Sequence, residues 1–333
     1  MAVRSIRPMD TARLASRGRT PGGTEPRRQP GGSIGRLHST WAKAAARHIL
    51  PATLRSCRPI QDSGSFVRTA DRGPCRPRLG PRLYARPVDI DWPELRARCL
   101  LTEDEAILAL NKPAGISVTG ERHDTDIVAA AEATGEKLYP VHRIDKVTSG
   151  LVLLARQLPA HGQLTRQFNK QTAEKTYLAV VAAGPEPLPD RGVVELPLSV
   201  GRKNRVRVAA PRETIQRTGD RWSVADADLL NTKNYPSRTE FAVVARHNEH
   251  TVVALHPITG RRHQLRVHLA WIGYPITGDP LFDRTGTHPR THLHSWRLRL
   301  GADWRPDGRL DLEAPPDQDF WTPLPHPPVT LPV

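Results

Sequence analysis

HRIDKVTSGLVLLAR, residues 142–156, is the stretch from which the rest of the chain is read. A dense polar loop runs without a break into Leu151–Ala155, an apolar run of strand length. Such a run suits the middle of a sheet covered on both faces. Asp145 stands between Ile144 and Lys146, just ahead of that strand, where a carboxylate can face a cleft at the sheet edge. The same pattern also suits a turn-forming aspartate with Thr148 and Ser149 as caps, and local sequence leaves both readings open.

Working outward, EAILALNKP gives a strand over Glu105–Leu110, stopped by Asn111 and Pro113. A helix is expected around DIVAAAEAT. Downstream, Leu164 and Phe168 fall four apart and predict a helix over Ala160–Lys170. KTYLAVV, Lys175–Val181, returns to strand. Further strands are expected over Val193–Leu198, Val206–Ala209, Glu240–Ala245, Thr251–His256 and Leu293–Leu300. A second helix is expected over Arg262–Ile272, with Leu265, Leu269 and Ile272 on one face. Residues 202–237 are polar and weakly periodic, an excursion between strands. Strand follows strand across short polar breaks, without regular βαβ alternation. The expected fold class is α+β, with a mixed, largely antiparallel central sheet and flanking helices.

The chain has 333 residues and a mass of 37.0 kDa, enough for one large or two ordinary domains. No stretch approaches 18 uncharged apolar residues, and no signal-peptide hydrophobic block opens the chain, so a membrane role is not expected. Cys57, Cys75 and Cys99 show no CxxC spacing and point to a reducing compartment. Of the net charge of +15, residues 1–87 carry +14 and residues 88–333 only +1. The first segment is rich in Arg, Pro, Gly and Ser, and buries too little apolar area to offset its ordering entropy. We therefore divide the chain into a basic, disordered extension (1–87), a catalytic domain (88–314) and a Pro-rich C-terminal tail (315–333). One helix is possible within the extension, around STWAKAAARHIL. The extension reads as an RNA-binding arm, an organellar targeting segment, a basic tail without a specific role, or a reading frame begun too far upstream.

A second polar stretch is GRRHQLRVHL, 260–269. Arg262 and Arg266, four apart, share one helix face, with Leu265 and Leu269 beside them. Three cations at a Gly-started helix suggest an anion site or a partner for a buried carboxylate, and equally a solvated basic face. His263, His268, His292 and His294 lack an HExxH motif, a cysteine cluster or acidic partners at ligand spacing, so no metal is expected. Neither GxGxxG nor GxxxxGK[ST] occurs, and no nucleotide cofactor is expected.

These motifs, taken in order, resemble the RluA-type family of RNA pseudouridine synthases. NKPAGISV (111–118), HRIDKVTSGLVLLAR (142–156), KTYLAVV (175–181), HPITGRRHQLRVHLAWIGYPITGD (256–279) and LHSWRLRL (293–300) carry the resemblance, which spans Leu101 to Leu300. It implies the pseudouridine synthase catalytic fold and the isomerisation of uridines in structured RNA, ribosomal or transfer, without a cofactor. It further implies Asp145 as the catalytic carboxylate, Tyr177 as the tyrosine against the base, and Arg266 as the basic partner that keeps the aspartate charged. Leu265 is implied as apolar support, and Arg143 as the arginine filling the space left by a flipped uridine. His142 and Arg262 are implied beside the substrate, and Lys112 with Pro113 as braces of the catalytic loop. Ile144 stands where leucine is commoner, and Arg262 where threonine is frequent. The family's small N-terminal RNA-binding module is not found here. The expected protein is a cytoplasmic monomer without an obligate protein partner. A non-catalytic RNA-binding or ribosome-assembly factor, and an unrelated carboxylate-dependent hydrolase of nucleosides, are the competing functional classes.

Overall fold

The structure, a computed structural model, describes residues 90–120, 126–247, 249–286, 288–328 and 331. The basic extension and the helix expected around STWAKAAARHIL lie outside the described residues.

Local sequence explains where the first elements begin. α1 (Trp92–Cys99) is capped by Asp91, whose carboxylate accepts from the Glu94 N–H, and carries Pro93 in its first turn. β1 (Leu100–Glu103) and β2 (Ile107–Lys112) follow as an antiparallel pair. α2 (Ile127–Ala133) is capped by Asp126, which accepts from the Val128 and Ala129 N–H groups. β3 (Tyr139–Pro140), β4 (Ser149–Ala155), α3 (Leu158–Lys170) and β5 (Glu174–Ala182) come next. Then come β6 (Arg191–Glu195), β7 (Leu198–Val200), β8 (Val206–Val208), β9 (Gln216–Thr218), β10 (Arg221–Ser223) and β11 (Asn234–Tyr235). The described chain continues through β12 (Arg238–Arg246), β13 (His250–Pro257), α4 (Gln264–Trp271), β14 (Leu293–Gly301) and β15 (Arg309–Glu313).

The main sheet runs β1-β2-β4-β14-β5-β13-β12-β6-β10-β9, with β15 paired to β14 and β3 to β4. Only the β4–β14 and β6–β10 pairings are parallel. The sheet is therefore mixed and largely antiparallel, and the fold is α+β as expected. A second, three-stranded sheet runs β11-β7-β8.

The unbroken apolar run of β4 has a direct cause: both of its faces are covered. Leu151, Leu153 and Ala155 pack with Ala160 and Leu164 of α3 and with Leu298 and Leu310. Val152 and Leu154 point the other way, against Trp92, Leu95, Ile127 and Ile144. Each such side chain contributes about 1.5–3 kcal/mol of burial free energy.

Several boundaries differ from expectation, each for a local reason. β2 does not stop at Asn111 but runs through Lys112, because Asn111 and Lys112 pair with Leu151 and Gly150. The strand expected over Val193–Leu198 breaks at Pro197, which has no N–H to donate. Its two halves join different sheets. The helix expected from Arg262 begins only at Gln264. His263 takes a left-handed conformation (φ 56°), so Arg262 lies ahead of the helix and shares no face with Arg266. The expected apolar face of Leu265, Leu269 and Ile272 is buried. The 202–237 excursion holds β8 to β11, and β9 and β10 extend the main sheet. Beyond Pro315 the chain packs: Phe320 and Leu324 are buried with Leu178, Val252 and Trp296.

Candidate active site

The register across the sheet centre builds the site. Tyr177 of β5 pairs with Ser295 of β14, and Ser295 also neighbours Gly150 of β4. The strands meet so closely that a Cβ on Gly150 would lie 2.2 Å from the Ser295 carbonyl oxygen, and Gly150 sits at φ +104°. Only glycine fits there without displacing backbone. The 142–148 loop therefore enters β4 within two strands of Tyr177. Leu255 of β13 pairs with Tyr177 from the other side, and two residues later the chain turns toward α4.

Within the loop the side chains divide by environment. Ile144 is buried in the core and Arg143 is exposed. The Asp145 carboxylate stands in a cavity of about 530 Å³ whose wall includes Arg143, Tyr177, Arg262, Leu265 and Arg266. That volume lies in the range of small-molecule sites. Beneath the loop the buried Lys112 ammonium donates to the carbonyls of Pro113 and Ile116 at 2.8 and 2.7 Å, and to that of Lys146 at 3.4 Å. Lys112 thus ties the end of β2 to the residue after Asp145 and does not line the cavity.

Arg266 organises the acidic groups. Its Nε and one terminal nitrogen donate to the two carboxylate oxygens of Asp279, at 2.7 and 2.8 Å. Its other terminal nitrogen donates to Asp145 Oδ2 at 3.0 Å. Both Arg266 and Asp279 are buried, whereas the Asp145 side chain keeps 21% exposure. The fork to Asp279 fixes the guanidinium plane, so the third contact presents Asp145 at a set angle. Burial alone would lower the Arg266 pKa; the two carboxylates, Asp279 foremost, more than offset this and raise it.

Burial shifts four other groups of the cavity toward their neutral forms. Burial pushes the Tyr177 phenol up to about 12; the Asp145 charge adds to this and the Ser295 hydroxyl opposes it. Tyr177 is therefore a phenol, a donor, at neutral pH. His142 is held down to about 4, by burial first and by Lys175 second. Its Nε2 accepts from the Leu153 N–H at 3.0 Å, and its ring stacks on Phe168. His263 Nε2 lies 3.8 Å from Asp145 Oδ1, too far for a hydrogen bond. Burial, with Arg266 and Arg262, lowers the His263 pKa against the pull of Asp145. Burial also lowers that of Lys175, two residues from Tyr177 on the cavity wall.

Seven of the nine residues named from sequence share this cavity: Asp145, Tyr177, Arg266, Arg143, Leu265, Arg262 and His142. The other two are Lys112, which braces the loop, and Pro113, whose carbonyl accepts from the Lys112 ammonium. Sequence reading missed Asp279, the buried carboxylate that holds Arg266. Its only trace was a Gly-Asp pair ending the segment 256–279, thirteen residues from the arginine it binds. Phe168 and Lys175 were also missed: nothing local marks the cavity side of α3, and although strand alternation puts Lys175 on the face of Tyr177, nothing in the sequence marks that face as the cavity wall.

Comparison with known proteins follows the same residues. A family model described as RNA pseudouridylate synthase matches residues 106–271. Dual-specificity RNA pseudouridine synthase RluA of Salmonella typhi is 34% identical over 208 residues, covering 60% of this chain and 85% of the relative. Its Escherichia coli K12 counterpart is 33% identical with the same coverage. Ribosomal large subunit pseudouridine synthase D of Nitrosomonas europaea is 33% identical over 219 residues, 60% of this chain and 57% of the relative. Among solved structures, Human RNA Pseudouridylate Synthase Domain Containing 4 superposes with a TM-score of 0.55 at 25% identity, covering 69% of this chain and 92% of that one.

Proposed function

The chain belongs to the RNA pseudouridine synthase family, and from that premise we propose that Asp145 is the carboxylate with which it isomerises uridine in structured RNA. The observation that carries this is the Asp145–Arg266–Asp279 array opening into the same cavity as Tyr177.

The isomerisation breaks the N1–C1′ bond, turns the uracil and rejoins it through C5, with nothing added or lost overall. Asp145 either attacks C1′, forming a covalent sugar ester, or removes the C2′ proton to give a glycal. Either route needs a carboxylate held at a fixed angle, which the Arg266 fork supplies. The base must leave its stack to reach the cavity. Arg143 stands exposed at the cavity rim, with no ion pair among the described residues. Its guanidinium is free to fill the vacated stack and to contact phosphate, which offsets part of the unstacking cost. Tyr177 lies against the base and relays the C5 proton. With its pKa at about 12 it is not a standing phenolate, so it takes the C5 proton only as its own proton passes to the neighbouring Asp145 carboxylate and from there to solvent, while N1 regains a proton.

We propose large-subunit ribosomal RNA as the first substrate, supported by the ribosomal large subunit in one relative's name, and transfer RNA as the second. The test is pseudouridine mapping of total RNA by carbodiimide labelling and primer extension, with and without the gene. Complementation uses wild type and Asp145→Asn. One site that is lost on deletion, restored by wild type and not by the variant, is the expected result. Restoration by Asp145→Asn would overturn the role of Asp145.

A further inference from the structure

The described catalytic region is close to neutral overall, yet one hairpin beside the cavity is not. β7 and β8 pair in register, Leu198 with Val208 and Val200 with Val206. The tip and outer face of this hairpin carry Arg202, Lys203, Arg205 and Arg207, all exposed. No carboxylate occurs between Leu198 and Arg212. None of the four cations makes an ion pair among the described residues. By contrast Arg221, Arg238 and Arg246 elsewhere on the surface are each matched to an acidic side chain.

The hairpin is braced. Val206 and Val208 alternate inward and pack in the same core as Leu265, Val267 and Leu269 of α4. Arg205 and Arg207 therefore point outward. Arg262, on the cavity wall, donates to the Asn204 carbonyl and ties the tip to the loop that leads into α4. Arg212, just past β8, donates to the carbonyls of Ala270 and Trp271 at the far end of the same helix. The tip itself is turned by Lys203 (φ 54°) and Asn204 (φ 59°), with the Arg205 N–H bonded back to the Arg202 carbonyl. Two successive left-handed residues make a type I′ turn, where Asn-Gly is the preferred pair. A lysine in that conformation is strained, and strain retained at a charged tip points to function rather than folding.

We propose that the β7–β8 hairpin is a phosphate-binding arm that holds the RNA strand flanking the uridine in the cavity. This rests on the RNA-modifying reading above and extends it to a second contact region. The arm reads backbone rather than base, so it gives affinity and register without sequence preference. Arg262 couples it mechanically to the mouth of the cavity.

The test uses the full chain and a fluorescein-labelled 20-nucleotide oligouridylate, with affinity measured across a KCl series. Arg202, Arg205 and Arg207 are changed to Gln together. Lys203→Gly is made separately. A control removes three exposed cations away from the cavity, Lys137, Arg299 and Arg309. Three lost phosphate contacts should lower the slope of log affinity against log salt by about 2 for a single strand. Affinity near 100 mM salt should fall roughly 100-fold, with the control within about threefold of wild type. Lys203→Gly should weaken binding about threefold while melting no lower than wild type, since it relieves the left-handed backbone. An unchanged slope in the triple variant, or an equal loss in the control, would overturn the proposal. Turnover of unmodified ribosomal RNA transcript is measured in parallel. Absence of pseudouridine from wild type contradicts the catalytic reading alone, whereas normal wild-type turnover with unaltered binding by the triple variant contradicts the arm alone.

Discussion

Arg266 has one guanidinium and two carboxylates to serve, and the way it divides its donors sets what each neighbour can do. Asp279 takes two donors in a buried fork and is structural; Asp145 takes one and stays open to the cavity. Asp279→Asn should therefore disturb both stability and chemistry. Breaking a buried pair from one side costs about 3–5 kcal/mol. For a domain of this size that lowers Tm by roughly 10 °C. The turnover rate should fall further than the stability loss explains, because Arg266 loses its fixed plane. A variant with wild-type kcat would show that the fork does not position Asp145. Tyr177→Phe keeps the ring and removes the phenolic proton relay. C5-tritium release under single-turnover conditions should slow by about 10²–10⁴-fold, with RNA affinity held within about twofold. An unchanged release rate would remove Tyr177 from the proton path.

Strand packing at the scale of elements makes a different demand. β4 lies beside β14 so closely that Gly150 has no room for a side chain. Gly150→Ala combines a left-handed backbone with a clash against Ser295, and should cost about 3 kcal/mol. Thermal melting should fall by roughly 10 °C, and activity should fall with it as the Asp145 loop immediately upstream is displaced. Equal melting temperatures would show that the β4–β14 contact relaxes freely. Much at this scale was legible from the chain. The β4 run, the apolar face of α4 and the loop carrying Asp145 follow from periodicity and composition, because covered strands and helix faces leave a repeating apolar mark. What was not legible depends on single backbone geometries or on distant partners. The left-handed His263 delays α4 by two residues and separates Arg262 from Arg266. Pro197 splits one expected strand between two sheets. Asp279 is recognisable only through the side chain it meets. Pairing Asp145 with Arg266 needed the family resemblance, since 121 residues separate them and spacing alone joins nothing.

The whole molecule carries a set of buried imidazoles that ties its stability to pH. His268, His292 and His294 are buried and, like His142, are held down to about 4, chiefly by burial. His294 shows why the neutral form suits the fold: its Nε2 meets the Ala314 carbonyl, while its Nδ1 meets the Ser149 hydroxyl, which also accepts from Arg290. A folded-state value below the unfolded one near 6.5 means that the unfolded chain binds protons first on acidification. The stability from these groups is thus complete above about pH 6.5 and is lost as pH falls toward 4. Tm should be flat near neutrality and drop steadily from pH 6.5 to 4.5. The four histidine Cε1–H resonances should stay at neutral positions down to about pH 5; titration near 6.5 would contradict their assigned environments.

We propose above all that this fold aims the Asp145 carboxylate at a flipped uridine. The most direct measurement is tritium release from [5-³H]uridine-labelled, unmodified ribosomal RNA transcript by the purified protein, comparing wild type with Asp145→Asn and measuring RNA affinity for both. Wild type should release tritium stoichiometrically, and the variant at a rate lower by at least about 10³-fold, with affinity and melting temperature close to wild type. Release by Asp145→Asn at a rate near that of wild type would contradict it.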